Sequence, residues 1–157
     1  MANPKTESSK VIARNKRARH DYFIEDTWEA GLVLLGTEVK SLREGRATIT
    51  EAYVNLDKNN EAWLQGAAIQ PWSHGNRFNH DLTRPRKLLL HHRELQRLIG
   101  KVGREGYTLV PLELYFTRGK AKLSIGLGKG KKQHDKRQDL KESDAKRAMQ
   151  RAMRRER

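Results

Sequence analysis

Between Tyr107 and Leu127 apolar residues recur at every second position on either side of Thr117-Arg118-Gly119-Lys120. This limits the segment to two long antiparallel strands joined by a tight turn. A period of two sends successive side chains to opposite faces, so one face of the hairpin is apolar and needs cover. The return strand sets Ala121, Leu123, Ile125 and Leu127 on that face. On the outgoing strand Tyr107 and Leu109 occupy odd positions, whereas Val110, Leu112, Leu114 and Phe116 occupy even ones, with Pro111 at the change of phase. A bulge near Pro111 is the expected device, since one inserted residue flips the strand beyond it.

The same logic reads Tyr22 to Leu34 as a long half-buried strand, with Tyr22, Ile24, Trp28, Ala30, Leu32 and Leu34 in phase. A short helix follows, with Thr37 as N-cap, Leu35, Val39 and Leu42 on one side and Gly45 as the stop. Residues 52–57 and 62–69 read as a hairpin around Asp57-Lys58-Asn59-Asn60. Residues 71–86 read as a loop carrying Trp72 and Phe78, and residues 87–90 as a short strand. A helix then shows Leu95, Leu98, Ile99 and Val102 on one face and ends at Gly103. About six antiparallel strands and two short helices result, a mainly β chain. Strongly bent strands in a small domain favour a barrel, and the oligonucleotide-binding type is the commonest such barrel with an RNA partner.

Charge narrows the partner. The chain has 157 residues and a net charge of +14, which calls for a polyanion. Residues 129–157 hold 12 Lys and Arg against 5 Asp and Glu, half of the excess. The expected organisation is a flexible segment 1–14, a β-barrel domain 15–128 and a basic tail 129–157. Ala145, Ala148, Met149, Ala152 and Met153 make the tail a latent helix, with too little apolar surface to order itself alone. There is no cysteine, which removes disulfides, thiolate catalysis and Cys-ligated zinc and fits a reducing, cytoplasmic setting. MANPKTESSK lacks an apolar stretch, and the longest aliphatic run, LVLL at 32–35, falls far short of a membrane span.

The stretch GKGKKQHDKR at 128–137 admits several readings. GLGKGKK lacks the spacing of a nucleotide-binding loop and reads as a flexible hinge. His134 beside Asp135 is either a solvated pair, a base-stacking imidazole or a fragment of an RNA-cleaving site. His74, His80, His91 and His92 lack metal-ligand spacing, and no metal or cofactor is expected. Asn15-Lys16-Arg17-Ala18-Arg19-His20 and Arg84-Pro85-Arg86-Lys87 form further basic clusters. With Trp72 and Phe78 they suit an RNA surface, although the two rings equally suit a plug for the barrel end.

Three longer segments, NKRARHDYFIEDTWEAGLVLLGTEVKSLREG at 15–45, GNRFNHDLTRPRKLLLHHREL at 75–95 and KGKKQHDKR at 129–137, closely resemble the small protein B, or SsrA-binding protein, family. That resemblance implies an oligonucleotide-binding-type barrel and a non-enzymatic, monomeric RNA-binding cofactor of trans-translation. Its partners would be the tRNA-like domain of transfer-messenger RNA and the stalled 70S ribosome. The protein would stand in for the missing anticodon arm, its tail disordered when free and helical in the empty messenger channel. By position, Asn15, Glu29 and Leu89 fall where the family contacts transfer-messenger RNA, and Lys16, Arg17 and Arg19 join them on charge. Lys129, Lys131, Lys132, His134, Asp135, Lys136 and Arg137 fall where the family meets the decoding centre. A structural ribosomal protein with a basic tail is the alternative.

Overall fold

The computed structural model describes residues 9–74, 79–103 and 106–155; Phe78 lies outside them. The long hairpin is β8 (Tyr107–Thr117) and β9 (Lys120–Gly130). Arg118 and Gly119 turn it with φ of 51° and 75°, the left-handed region in which glycine carries no steric cost. The register passes from Pro111↔Ile125 to Glu113↔Ser124, leaving Leu112 as the bulged residue.

Because facing residues share one side of a sheet, Leu109 and Leu114 turn inward with Leu127 and Leu123. Val110 and Leu112 turn outward, a correction to the reading that set them in phase with Leu114. They form an outer cluster with Ala18, Tyr22 and Ile24. A second bulge, between Ile24 and Asp26 in β2 (Tyr22–Leu32), has the same effect. Trp28 and Leu32 pack on the main core, whereas Tyr22 and Ile24 stay outside.

Six antiparallel strands close a ring. β8 pairs with β4 (Tyr53–Leu56), β4 with β5 (Ala62–Gln65), β5 with β7 (Arg86–Leu89), β7 with β2, β2 with β9 and β9 with β8. Closure removes the open edges that a sheet of this size would otherwise expose. β1 (Lys10–Arg14) adds to the outer part of β8, so the sheet begins inside the segment expected to be flexible. β9 likewise runs two residues past the expected domain end at 128. The expected strand 62–69 divides at Gly66, whose φ is 73°. Beyond it β6 (Ala68–Ile69) pairs instead with β3 (Ala47–Thr48).

Two helices drive large side chains into the ring: Leu42 from α2 (Gly36–Arg43) and Leu98 from α3 (His92–Lys101), both in the main core. α2 starts from Leu35 and not from Thr37. The carboxylate of Glu38 accepts the Leu35 N–H at 2.8 Å, while the Thr37 hydroxyl is engaged with His80 Nδ1 at 2.9 Å. Glu38 and Arg86 are both fully buried and paired, Arg86 Nε to Glu38 Oε2 at 2.6 Å, with Arg84 on the other oxygen at 2.5 Å. Burial alone would raise the Glu38 carboxyl, but hydrogen bonds from Arg84, the Leu35 N–H and Arg86 hold it below the usual range. This pair ties α2 to β7 and fixes the approach of the preceding loop.

The short α1 (Ala18–Asp21) lies on the outer cluster through Ala18. The tail, expected to be disordered when free, forms one helix, α4 (Gln133–Arg155), and none of its residues is buried. Among the described residues no helix is long and apolar enough to cross a membrane.

Candidate nucleic-acid interface

The outer cluster positions the first basic group. Asn15 clamps the bulge of β8, donating from Nδ2 to the Pro111 carbonyl and from its backbone N–H to that of Leu112, each at 2.9 Å. Its Oδ1 is buried without a partner. With Ala18 facing inward, Lys16, Arg17 and Arg19 stay exposed. Asn15, Lys16 and Arg19 line a depression with Arg14, Thr27 and Ser124. Arg17 points elsewhere and pairs with Glu51 at 3.4 Å.

A row of outward residues crosses the sheet from this depression. Arg14 meets Glu113 at 3.4 Å, Glu113 faces Ser124, and Ser124 faces Glu29. Glu29 accepts a hydrogen bond from the hydroxyl of Tyr115. Burial and then the Glu29 carboxylate hold that phenol well above its usual pKa, so it remains a donor. On the next strand Leu89 is 52% exposed and faces Gly31, where an added Cβ would stand 3.4 Å from that of Leu89. Glu29 and Leu89 therefore share a second depression, with Gly31, Phe116 and Lys122. The fold thus brings five of the six expected contacts onto one outer surface.

The tail root lies against α1. The Lys131 N–H donates to the Asp21 carbonyl at 2.9 Å, and Lys131 Nζ to the Arg19 carbonyl at 2.8 Å. The same ammonium pairs with Asp139 and sits 4.8 Å from the Phe23 ring centroid. Lys136 pairs with Asp21 at 3.2 Å. The hydrogen bond from His20, with help from Lys136, holds the Asp21 carboxyl below its usual range. Lys131 is thus an anchor, while Lys129, Lys132, His134 and Arg137 are exposed.

Gly126 and Gly128, inside β9, are not a hinge. An added Cβ on Gly126 would come within 3.0 Å of Ile24 Cγ2, and one on Gly128 within 3.0 Å of Tyr22 Cβ. They are gaps that let the outer cluster rest on the β9 backbone. Asp135 accepts the Lys132 N–H at 3.2 Å and lies 3.1 Å from His134 Nε2, and the His134 side chain is 77% exposed. Among the described residues only Asp135 meets that imidazole.

His80 is bonded through both ring nitrogens, to Thr37 and to the Ile69 carbonyl. Trp72 is half-buried beneath Lys40, whose ammonium stands 4.1 Å from the ring centroid. Sequence reasoning overlooked Tyr115, Asp21 and Asp139. Tyr115 had a signal: beyond the change of phase at Pro111 it is the aromatic that falls out of phase with Leu114 and Phe116. Asp21 and Asp139 had none, since their partners come from distant segments.

A family model described as SmpB protein matches residues 12–155. The chain belongs to the SmpB protein family. Relatives span nearly its whole length. An SsrA-binding protein of Lysinibacillus sphaericus (strain C3-41) is 56% identical over 144 residues, 92% of each chain. One from Sphingomonas elodea is 56% identical over 158 aligned positions, 98% of each. A solved structure described as "tmRNA-SmpB: a journey to the center of the bacterial ribosome" is similar with a TM-score of 0.64 and 50% identity. That likeness covers 76% of this chain and 84% of the other.

Proposed function

We propose that this protein binds the tRNA-like domain of transfer-messenger RNA and carries it to stalled ribosomes for trans-translation. The observation that carries this reading is the match to SsrA-binding proteins over almost the full chain. In this reading the six-strand ring is an oligonucleotide-binding-type barrel. Asn15, Lys16, Arg19, Glu29 and Leu89 form one RNA surface, with Arg17 at its margin. The cations neutralise phosphate, whereas Glu29, which phosphate would repel, accepts hydrogen bonds from base amino or imino groups and confers selectivity.

The second interface is the tail. Lys129, Lys132, Lys136 and Arg137 track ribosomal RNA phosphates, and His134 stacks on an unpaired base at the decoding centre. Lys131 and Asp135 set the direction of the helix. An α4 without a buried face supports a tail that orders fully only against a partner, here the empty messenger channel. The protein acts as a cytoplasmic monomer, a binding cofactor with no chemical step of its own.

Truncation after Lys132 tests the two-interface design. Affinity for the tRNA-like domain is expected to stay within a few fold of the full chain, while peptide tagging on stalled ribosomes is abolished. Parallel loss of both activities would refute it. His134→Ala is expected to slow single-turnover peptidyl transfer to the charged RNA, and an unchanged rate would exclude stacking.

A further inference from the structure

Lys136 has two claims on it. The function proposed above gives its ammonium to ribosomal RNA phosphate, whereas the structure seats it on Asp21, Nζ to Oδ1 at 3.2 Å. The contact spans the joint between the folded ring and the tail, because Asp21 ends α1 and Lys136 stands in the first turn of α4. That joint is built from one fixed cation and one that can leave. Lys131 is fixed: its side chain is only 7% exposed, and its ammonium is held by Asp139 and the Arg19 carbonyl against the Phe23 ring. Its backbone N–H bonds to the Asp21 carbonyl as well. Lys136 is held by a half-exposed ion pair, its side chain 28% and that of Asp21 37% exposed, which a competing anion can reach. The same Asp21 oxygen lies 3.0 Å from His20 Nδ1, so the carboxylate keeps a partner when Lys136 departs.

A carboxylate and a phosphate compete for an ammonium through the same charge-assisted hydrogen bonds. The carboxylate of Asp21 belongs to the same chain and is always at hand, so a loosely held RNA displaces it poorly. An RNA that engages several tail cations at once displaces it readily, since each further phosphate adds to the competition. We propose that Asp21 is a built-in competitor for RNA phosphate: it latches the root of α4 to α1 through Lys136 and withholds that cation from stray RNA until a partner takes the whole tail. The inference rests on the phosphate contact proposed for Lys136 and adds to it the residue that regulates that contact.

The test measures binding of the full chain to oligouridine, a single strand with no tRNA-like domain, for wild type, Asp21→Asn, Lys136→Gln and the double variant. Asp21→Asn is expected to tighten binding about threefold, the scale of a half-exposed ion pair. It should also steepen the salt dependence by about 0.7, one more neutralised phosphate. In the Lys136→Gln background the same substitution is expected to change neither quantity. An equal gain in both backgrounds overturns the inference, since it would report only the loss of a negative charge near the RNA. Absence of a gain in the wild-type background overturns it too. Asp21→Ser takes the place of Asp21→Asn should that variant not fold. Failure of the functional reading looks different: truncation after Lys132 would leave oligouridine affinity unchanged, and the inference would fall with it.

Discussion

The hydroxyl of Tyr115 on β8 reaches across β9 to the carboxylate of Glu29 on β2. Two strands that do not touch at this level thereby share one polar contact on the outer face, and the side chain of Glu29 is held over its depression.

Removing that donor tests the contact. Tyr115→Phe is expected to lower unfolding free energy by about 1.5–3 kcal/mol, the usual range for a hydrogen bond to a charged acceptor. Urea denaturation measures it. RNA affinity should fall as well, because Glu29 regains rotamer freedom; an unchanged denaturation midpoint would mean that the hydroxyl is merely solvated.

The Glu38–Arg86 pair makes a larger claim, since both side chains are fully buried. Arg86→Met removes the partner of the buried Oε2 of Glu38, leaving Arg84 and the Leu35 N–H on Oε1, and is expected to cost about 3 kcal/mol, the lower end for a broken buried pair, read from the denaturant midpoint. Linkage gives its pH dependence. A carboxyl depressed in the folded state binds fewer protons there than in the unfolded chain, so its contribution is full above the ordinary carboxylate range. It is lost as pH falls through the depressed folded value. Wild-type stability should therefore decline below about pH 4.3, with a shallower decline in Glu38→Gln.

Neighbouring glycines of β9 should respond differently to the same change. Gly126→Ala meets Ile24 at 3.0 Å and Leu112 at 3.1 Å and is expected to destabilise by about 1–3 kcal/mol. At Gly130 nothing lies within 4 Å, and Gly130→Ala should stay within about 0.5 kcal/mol. Thermal unfolding separates the two. Equal effects would restore the hinge.

Asp21 joins α1 to the tail root through Lys136 and its own carbonyl. Asp21→Asn should speed amide exchange in the first turns of α4 while leaving the global unfolding midpoint unchanged. Exchange no faster than wild type would show that the backbone bond alone seats the helix.

Much of this architecture could be read from alternation, since a half-buried strand records its inner face in every second residue. The β8–β9 hairpin was legible for that reason, α3 from its 3.6-residue period and the turn at Asp57 from its residue types. The bulges were legible only as a change of phase. Position 112 and position 111 give similar patterns, and only the partner strand's register decides which residue is extra. β1 and β3 were invisible, because strands of two to five residues carry too few positions to establish a period, and β6 was legible only as the end of the strand expected over 62–69. On the candidate site, the basic cluster of Asn15 to Arg19 was conspicuous by charge, and Glu29 and Leu89 entered by family likeness.

By itself the sequence determined the β-rich class, the polyanionic partner and the tail's helical potential, because composition and periodicity are local quantities. Tertiary structure alone decided that Glu29 and Leu89 line one depression and that Lys131 is an anchor. It also turned Gly126 and Gly128 from a hinge into a packing surface. Each depends on which distant segment arrives next to which, and ring closure, through β8 pairing with β9, settles that.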